Sequence, residues 1–497
     1  MRVWDYDEVA QHSKREDCYV VLYDKVYDLT DFIPLHPGGP QIIVKYAGKD
    51  ATAIFDPVHP QGTIEKFLPK EKFLGEVNTD TVPEEVKQER ENIEKQEMEK
   101  RKNLPPLQQC LNLRDFELLA KQVLSPMAWA YYCSAADDQE TLHENLSVYR
   151  RIWFRPRILR NVAHIDPSTC ILGHRSTLPI YITATALGRL GHPDGEKNLT
   201  RAAARTGLIQ MVPTLSSCSF DEIVNERTAD GKPTQFFQLY VNSDRKVVLD
   251  MLRKAEAAGI QAIFITVDAP QLGRREKDMR MHFEDTGSNV QNTSGEDVSR
   301  DEGAARAISS FIDPALDWDD VLWIQSQTRI PLLLKGVQCW EDALLAYDMR
   351  LAGCVLSNHG GRQLDFARSG IEVLEEVVYE LRKRGKAPGP SFQLFVDGGI
   401  RRGTDVLKAV ALGATAVGIG RPFIYAFSTY GADGVVRAVQ ILRDEIEMNM
   451  RLIGAPTIRD VVPEMLDLRS LHSRAATVGD RPDTDVLNPT GDRKSHL

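Results

Sequence analysis

The chain lacks several features that would have assigned it quickly. Its 497 residues contain no uninterrupted apolar run long enough to cross a bilayer, which excludes an ordinary membrane-spanning helix. Seven cysteines are scattered, odd in number and form no C-x-x-C, which argues against a disulfide framework or a thiolate zinc site. There is no basic excess: 61 Lys and Arg against 71 Asp and Glu leave a net charge of −10, unsuited to nucleic acid. The first residues, Met1-Arg2-Val3-Trp4-Asp5-Tyr6-Asp7-Glu8, lack the basic and apolar regions of a secretory signal and the acid-poor character of a transit peptide. What remains is ordinary in bulk, with 42% hydrophobic and 27% charged residues, and long enough for two or three domains.

Three regions separate by composition. The first ends near Gly75 and carries two histidines 23 positions apart. His36 opens the turn His36-Pro37-Gly38-Gly39, and His59 sits in Phe55-Asp56-Pro57-Val58-His59-Pro60. One histidine alone is most often a surface or satisfied core residue. Two on separate helix–loop segments can approach a metal macrocycle from opposite faces. They would leave a haem iron six-coordinate and suited to electron transfer. With that turn chemistry and spacing, residues 1–77 resemble a cytochrome b5 domain. The resemblance implies a small α+β haem-binding unit with His36 and His59 as the axial iron ligands of haem b.

Residues 78–104 hold eight acidic and six basic side chains and almost nothing apolar. Glu91–Lys95 and Glu97–Arg101 have the i,i+4 spacing of a solvated helix, so this segment reads as a charged linker that lets the small domain move. From about residue 179, short apolar runs alternate with helical stretches. Eight strands are expected: 179–185, 209–213, 236–241, 262–269, 331–337, 353–358, 393–399 and 416–421. Runs apolar throughout suit parallel strands buried on both faces. Eight strand–helix units predict a (β/α)8 TIM barrel with its chemistry at the C-terminal strand ends. A polar insertion over 283–306 reads as a lid or protease-sensitive loop.

The informative polar residues fall at those strand ends. The sixth run leads into Ser357-Asn358-His359-Gly360-Gly361-Arg362-Gln363-Leu364-Asp365. A histidine titrates near neutral pH, and an arginine three residues on can hold a carboxylate through two parallel hydrogen bonds. The fourth leads into Asp268, able to orient the imidazole, and then Arg275, which adds positive charge. Lys335 on the fifth would face the barrel mouth. Asp397-Gly398-Gly399-Ile400-Arg401 and Gly418-Ile419-Gly420-Arg421 follow the seventh and eighth, where barrels commonly bind phosphate.

On these motifs, residues 105–475 resemble the FMN-dependent 2-hydroxy-acid oxidase and dehydrogenase family, with 476–497 left as a polar tail. The resemblance implies FMN held by Ala184, Thr185, Ala186, Gln238, Thr266, Lys335, Asp397, Gly398, Gly399, Arg401, Gly420 and Arg421. It implies His359 as base, Asp268 as its partner, Arg362 and Arg275 as the carboxylate clamp, and Tyr131 and Tyr240 on the substrate carboxylate and hydroxyl. Leu215 and Ala184 would line the side-chain pocket. The expected reaction is oxidation of an L-2-hydroxy acid, L-lactate to pyruvate. Electrons would then pass through the haem to cytochrome c, in a homotetramer by likeness to the family. An oxidase making peroxide from O2 is the alternative. A non-enzymatic haem carrier is disfavoured by the intact His359, Asp268, Lys335 and Arg362.

Pro213 departs from the family's usual Ser or Thr. It removes an N–H and a hydroxyl near the flavin, a contact that Thr214 or water would have to replace. The likeness suggests the mitochondrial intermembrane space, although no presequence is visible, whereas Ser495-His496-Leu497 resembles a peroxisomal address.

Overall fold

Alternation decides which face each strand of the N-terminal sheet buries. In a computed structural model of the chain, residues 2–36, 40–60, 62–87, 98–227, 233–283 and 311–472 are described. The turn residues 37–39, the pairs within 91–97, the insertion beyond 283 and the C-terminal tail with its Ser-His-Leu lie outside them.

Strands β1 (Val3–Trp4), β2 (Ser13–Lys14), β3 (Asp17–Leu22), β4 (Lys25–Asp28) and β5 (Phe73–Val77) form a sheet in the order β1-β5-β4-β3-β2. Successive residues of a strand point to opposite faces. On β3, Cys18, Val20 and Leu22 therefore join Ile33, Ile43 and Ala51 in one cluster. Val21 faces the other way, onto Trp4, Val9 and Val77. His36 follows the 3-10 turn Ile33–Leu35, and His59 follows the helix Thr52–Phe55; both elements adjoin the first cluster.

The charged segment 78–104 differs from a uniformly solvated connector at both ends. Its valines, Val82 and Val86, pack on the second cluster, and Thr81 Oγ1 accepts from Tyr6 N at 2.9 Å. At the far end Arg101 donates to the carbonyls of Ser428 (3.1 Å) and Gly191 (2.9 Å). Apolar burial and orphan carbonyls thus hold residues that composition alone assigns to solvent.

Strands β6 (Trp153–Phe154), β7 (Thr169–Ile171) and β8 (His174–Ser176) precede the barrel, and β17 (Leu466–Asp467) returns to pair with β6. The barrel itself is β9 (Ile180–Ile182), β10 (Ile209–Val212), β11 (Gln235–Leu239), β12 (Ile263–Thr266), β13 (Leu332–Val337), β14 (Gly353–Leu356), β15 (Gln393–Asp397) and β16 (Ala416–Ile419). All neighbours pair in parallel, and β16 closes on β9. The multidomain expectation of a cytochrome b5-like unit followed by a (β/α)8 barrel is met.

One side of each strand fills the barrel: Tyr181, Met211, Phe236, Phe264, Leu333, Val355 and Phe395 form a single buried cluster. The β7–β8 hairpin contributes Ile171 to it. The other side, including Ile182, Val212, Leu239, Ile265, Leu334 and Leu356, meets the surrounding helices. A barrel interior filled by bulky side chains is a core and not a pore, so ligands are left to the strand ends. Among the described residues, no helix is long and apolar enough to cross a membrane.

Candidate active site

The cleft lies where the strands stop. Its lining comes from the C-terminal ends of the barrel strands and surrounds a cavity of about 160 Å³ that opens to solvent. Each strand is shorter than the sequence suggests, because β9, β14 and β15 end at Ile182, Leu356 and Asp397. Ala184–Ala186, Asn358–His359 and Gly398–Gly399 therefore leave the sheet before reaching the cleft.

His359 sits at its centre. Its backbone takes φ 58°, a left-handed conformation uncommon outside glycine. Ser357 Oγ accepts from His359 N at 3.0 Å and donates to Asp397 Oδ1 at 2.5 Å, bracing the turn. Asp268 Oδ1 accepts from His359 Nδ1 at 2.9 Å, which directs Nε2 toward the Tyr240 hydroxyl 3.4 Å away. Burial lowers the His359 pKa against the opposing pull of Asp268, and Lys335 and Arg275 lower it further. The imidazole is thus neutral at pH 7 and able to accept a proton. Burial pushes Asp268 up, but the charge and hydrogen bond of His359, with Lys335, outweigh it and leave the carboxyl below its ordinary value.

A bulge makes room for this pair. The β13–β14 register shifts between Lys335 and Val337, and Gly336 takes φ 110°. A Cβ there would lie 2.5 Å from Asp268 Cγ. Lys335 pairs in register with Thr266, and its ammonium lies 3.4 Å from Asp397 Oδ2. Burial opposes the lysine's charge, but Asp397 and Asp268 overcome it and raise its pKa.

Both expected clamp arginines line the cleft. Arg362 is anchored through Nη1, which donates to the carbonyls of Tyr131 (2.8 Å) and Ser134 (3.0 Å). Arg275 is 4% exposed, and burial together with Arg362 pulls its pKa down to about 9. Burial raises the pKa values of Tyr131 and Tyr240, so both phenols keep their protons.

Gln238 Nε2 donates to Thr266 Oγ1 at 2.9 Å, so the two expected cofactor ligands from β11 and β12 touch. Ala184, Thr185, Ala186, Gly398, Gly399, Arg401 and Gly420 also line the cleft. The helical segment Arg421–Ile453, kinked at Tyr430 and Gly431, starts at this end with proline in its first turn, and the positive end of its dipole suits an anion. Small apolar residues on one wall, amide and ammonium donors at one edge and a helix N-terminus with Arg401 at the other match the chemistry of an isoalloxazine ring and its phosphate tail.

Two expectations change. Arg421 donates to the carbonyls of Tyr132 (2.9 Å), Gly360 (2.8 Å) and Ser134 (2.8 Å), so it ties loops together and keeps only two of its five N–H groups for an anion. Thr214 does not replace what Pro213 lacks. Its hydroxyl donates to Gln238 O at 2.5 Å and accepts from Tyr240 N at 3.0 Å, while Pro213 is the residue that lines the cleft. Sequence reasoning also passed over Ser357 and Gln363 as individuals, although both stand in the motif around His359.

In the N-terminal unit the rings of His36 and His59 face each other with centroids 6.2 Å apart. Two metal–nitrogen bonds of about 2 Å, plus roughly 1 Å from each nitrogen to its ring centre, give about 6 Å across one ion. Phe55 O accepts from His59 Nδ1 at 3.0 Å, which leaves Nε2 with its lone pair for metal. Burial drops the His59 pKa to about 4, so the ring is neutral. Among the described residues no group of three or more His, Cys, Asp or Glu could hold a metal ion. A histidine pair amid apolar side chains fits a macrocycle that brings its own equatorial ligands.

Comparison with known proteins agrees with both halves. Residues 120–468 match the model for FMN-dependent dehydrogenases, and residues 5–78 match the cytochrome b5-like heme/steroid binding domain. The chain is 54% identical over 470 residues to L-lactate dehydrogenase (cytochrome) of Wickerhamomyces anomalus, covering 95% of this chain and 81% of that protein. It is 42% identical over 356 residues to glycolate oxidase 3 of Arabidopsis thaliana, covering 70% and 94%. The flavin-binding domain of baker's yeast flavocytochrome b2 is similar in structure, with TM-score 0.71 and 46% identity over 80% of this chain and 95% of that one. The chain therefore belongs to the FMN-dependent dehydrogenase family and carries a cytochrome b5-like domain ahead of its barrel.

Proposed function

We propose that this protein oxidises L-lactate to pyruvate and delivers the electrons singly, through its haem domain, to cytochrome c. The observation that carries the reading is one cleft in which Asp268, His359 and Tyr240 form a continuous chain of contacts beside two arginines. The same polypeptide holds the paired histidines. FMN, when bound, supplies a two-electron acceptor and the haem a one-electron carrier, which together turn one two-electron oxidation into single-electron deliveries.

The chain's own residues do the rest. Arg275 and Arg362 bind the substrate carboxylate and fix which face of the α-carbon is presented. Tyr240, kept protonated by burial, hydrogen-bonds the substrate hydroxyl. Nε2 of the neutral His359 takes a proton from substrate, and Asp268 stabilises the imidazolium that results. Lys335, held by Asp397, keeps positive charge at the polar edge of the cofactor site. Leu215 and Ala184 bound a side-chain pocket suited to a methyl group. His36 and His59 hold the haem iron, and assembly into a homotetramer follows the family resemblance.

The relatives support the cytochrome reading over the oxidase one, because the cytochrome-type lactate dehydrogenase matches 95% of this chain at 54% identity and the glycolate oxidase 70% at 42%. Anaerobic addition of L-lactate should bleach the flavin band and then reduce the Soret band, and His359→Gln should abolish both changes. Turnover with cytochrome c should exceed peroxide formation under air. Peroxide as the main product would transfer the assignment to the oxidases.

A further inference from the structure

Two loops meet around a side chain that the proposed chemistry does not use. Gln363 follows β14 and is 7% exposed. Its Nε2 donates to the carbonyls of Asp268 and Gln271, both at 2.9 Å. Its Oε1 accepts from Gly273 N at 3.2 Å and from Arg275 Nη2 at 3.4 Å. Carbonyls only accept, while an amide N–H and a guanidinium only donate, so the partners themselves fix which way this amide faces. Two donor hydrogens and two acceptor lone pairs are all engaged.

The loops approach closely around it. A Cβ on Gly273 would collide with the carbonyl oxygens of Arg362 and Gln363. Arg275 Nε also donates to Arg362 O at 3.4 Å. The 268–275 loop thus carries Asp268 and Arg275, the 357–365 loop carries His359 and Arg362, and the Gln363 amide joins them beside the His359–Asp268 and Arg275–Arg362 contacts. Two arginines in one buried cleft repel each other, and the lowered pKa of Arg275 reflects that strain as well as its burial. Without the amide, Arg275 keeps the long bond from Nε to Arg362 O but loses the contact that fixes the far end of its guanidinium against that repulsion. A glutamate at 363 would hold it through an ion pair, but that carboxylate would compete with a ligand's. A neutral amide orients the guanidinium and leaves its charge available.

We infer that Gln363 is a positioning residue that presets Arg275 opposite Arg362, so that the carboxylate clamp exists before a ligand enters. This rests on Arg275 being part of that clamp. The test uses full-length holoenzyme in the oxidised state, titrated with pyruvate and followed by perturbation of the flavin spectrum. Gln363→Met, similar in length but unable to hydrogen-bond, should weaken pyruvate binding about tenfold and raise KM for L-lactate by a similar factor, with kcat changed less. Gln363→Glu should weaken binding further, because its charge satisfies Arg275 internally.

The double variant Gln363→Met/Arg275→Ala should bind pyruvate no more weakly than Arg275→Ala alone, since a residue acting through Arg275 has nothing left to position. Unchanged affinity in Gln363→Met, or full additivity in the double variant, overturns the inference. If Gln363→Met does not fold, the neutral Gln363→Leu carries the same cycle. If Arg275→Ala itself binds pyruvate normally, the clamp reading fails, and that result is separate from any effect at 363.

Discussion

Replacing Asp268 by Asn isolates the electrostatic part of the site from its geometry. Asp268 is buried, and its Oδ1 accepts from His359 Nδ1 at 2.9 Å while Oδ2 has no hydrogen-bond partner among the described residues. An Asn amide oxygen can keep the existing bond, with its nitrogen in the place of Oδ2, so the imidazole stays oriented. What is lost is the carboxylate charge beside an imidazolium. At about 4 Å between charge centres and an effective dielectric near 20, that interaction is about 4 kcal/mol. Roughly 1 kcal/mol returns through the neutral hydrogen bond. A net loss of about 3 kcal/mol lowers the rate of flavin reduction about a hundredfold or more. KM should change little, because Arg275 and Arg362 are untouched. The pH dependence carries the sign. Asp268 opposes the burial-driven fall in the His359 pKa, so its removal lets that pKa fall further. Activity requires neutral His359 and is lost as pH falls through this value. The acid limb should therefore move to lower pH while the plateau drops. Stopped-flow reduction of the flavin by L-lactate under anaerobic conditions, with α-deuterated lactate to verify that the chemical step is observed, measures both quantities. An unchanged plateau, or an acid limb displaced to higher pH, would refute the pairing as the source of catalysis.

Three further outcomes are expected. Gly336→Ala forces a Cβ against Asp268 at a residue with φ 110°, so thermal unfolding should show a loss of about 1–3 kcal/mol. Flavin reduction should fall at least about tenfold with it, as the Asp268–His359 contact is displaced. Ser357→Ala leaves His359 N and Asp397 Oδ1 without their shared partner, a cost of about 1–3 kcal/mol with reduced kcat, whereas Ser357→Thr keeps the hydroxyl and should recover much of both. His59→Ala should abolish the low-spin Soret spectrum and cut cytochrome c reduction at least about tenfold, yet leave flavin bleaching by L-lactate at its original rate.

The fold is legible in the residue letters where burial repeats and hidden where the chain turns. Eight apolar runs mark eight strands because a parallel strand buried on both faces has no polar position to interrupt it. The same uniformity conceals where each strand stops. Residues 184–185 and 398–399 read as strand but lie beyond the last strand residues and line the cleft instead. The turn at His359 needs left-handed φ values at three consecutive residues, and two glycines make that affordable without announcing it. His359, Asp268, Lys335 and the arginines could be proposed from their chemistry alone. Their supports could not, because Gln363 meets Asp268 across 95 positions and Ser357 meets Asp397 across 40. Thr214 shows the converse: its hydroxyl invites a role at the cofactor until its two backbone partners are seen.

The charge distribution gives the cleft a direction. Lys335, Arg275, Arg362 and Arg421 converge there, against the carboxylates of Asp268 and Asp397. Burial and the neighbouring arginines draw Arg275 down to about 9 and Arg421 to about 10, so these cations oppose one another across the cleft. A phosphate at the helix N-terminus and a carboxylate between the clamp arginines would each relieve part of that repulsion. Both ligands should then stabilise the fold beyond the simple mass-action effect expected of a neutral molecule with the same contacts. Each should also favour the other, because screening either group of cations lowers the field felt by the rest. A cofactor phosphate and a substrate carboxylate would be coupled in this way without touching, through arginines that follow β12, β14 and β16.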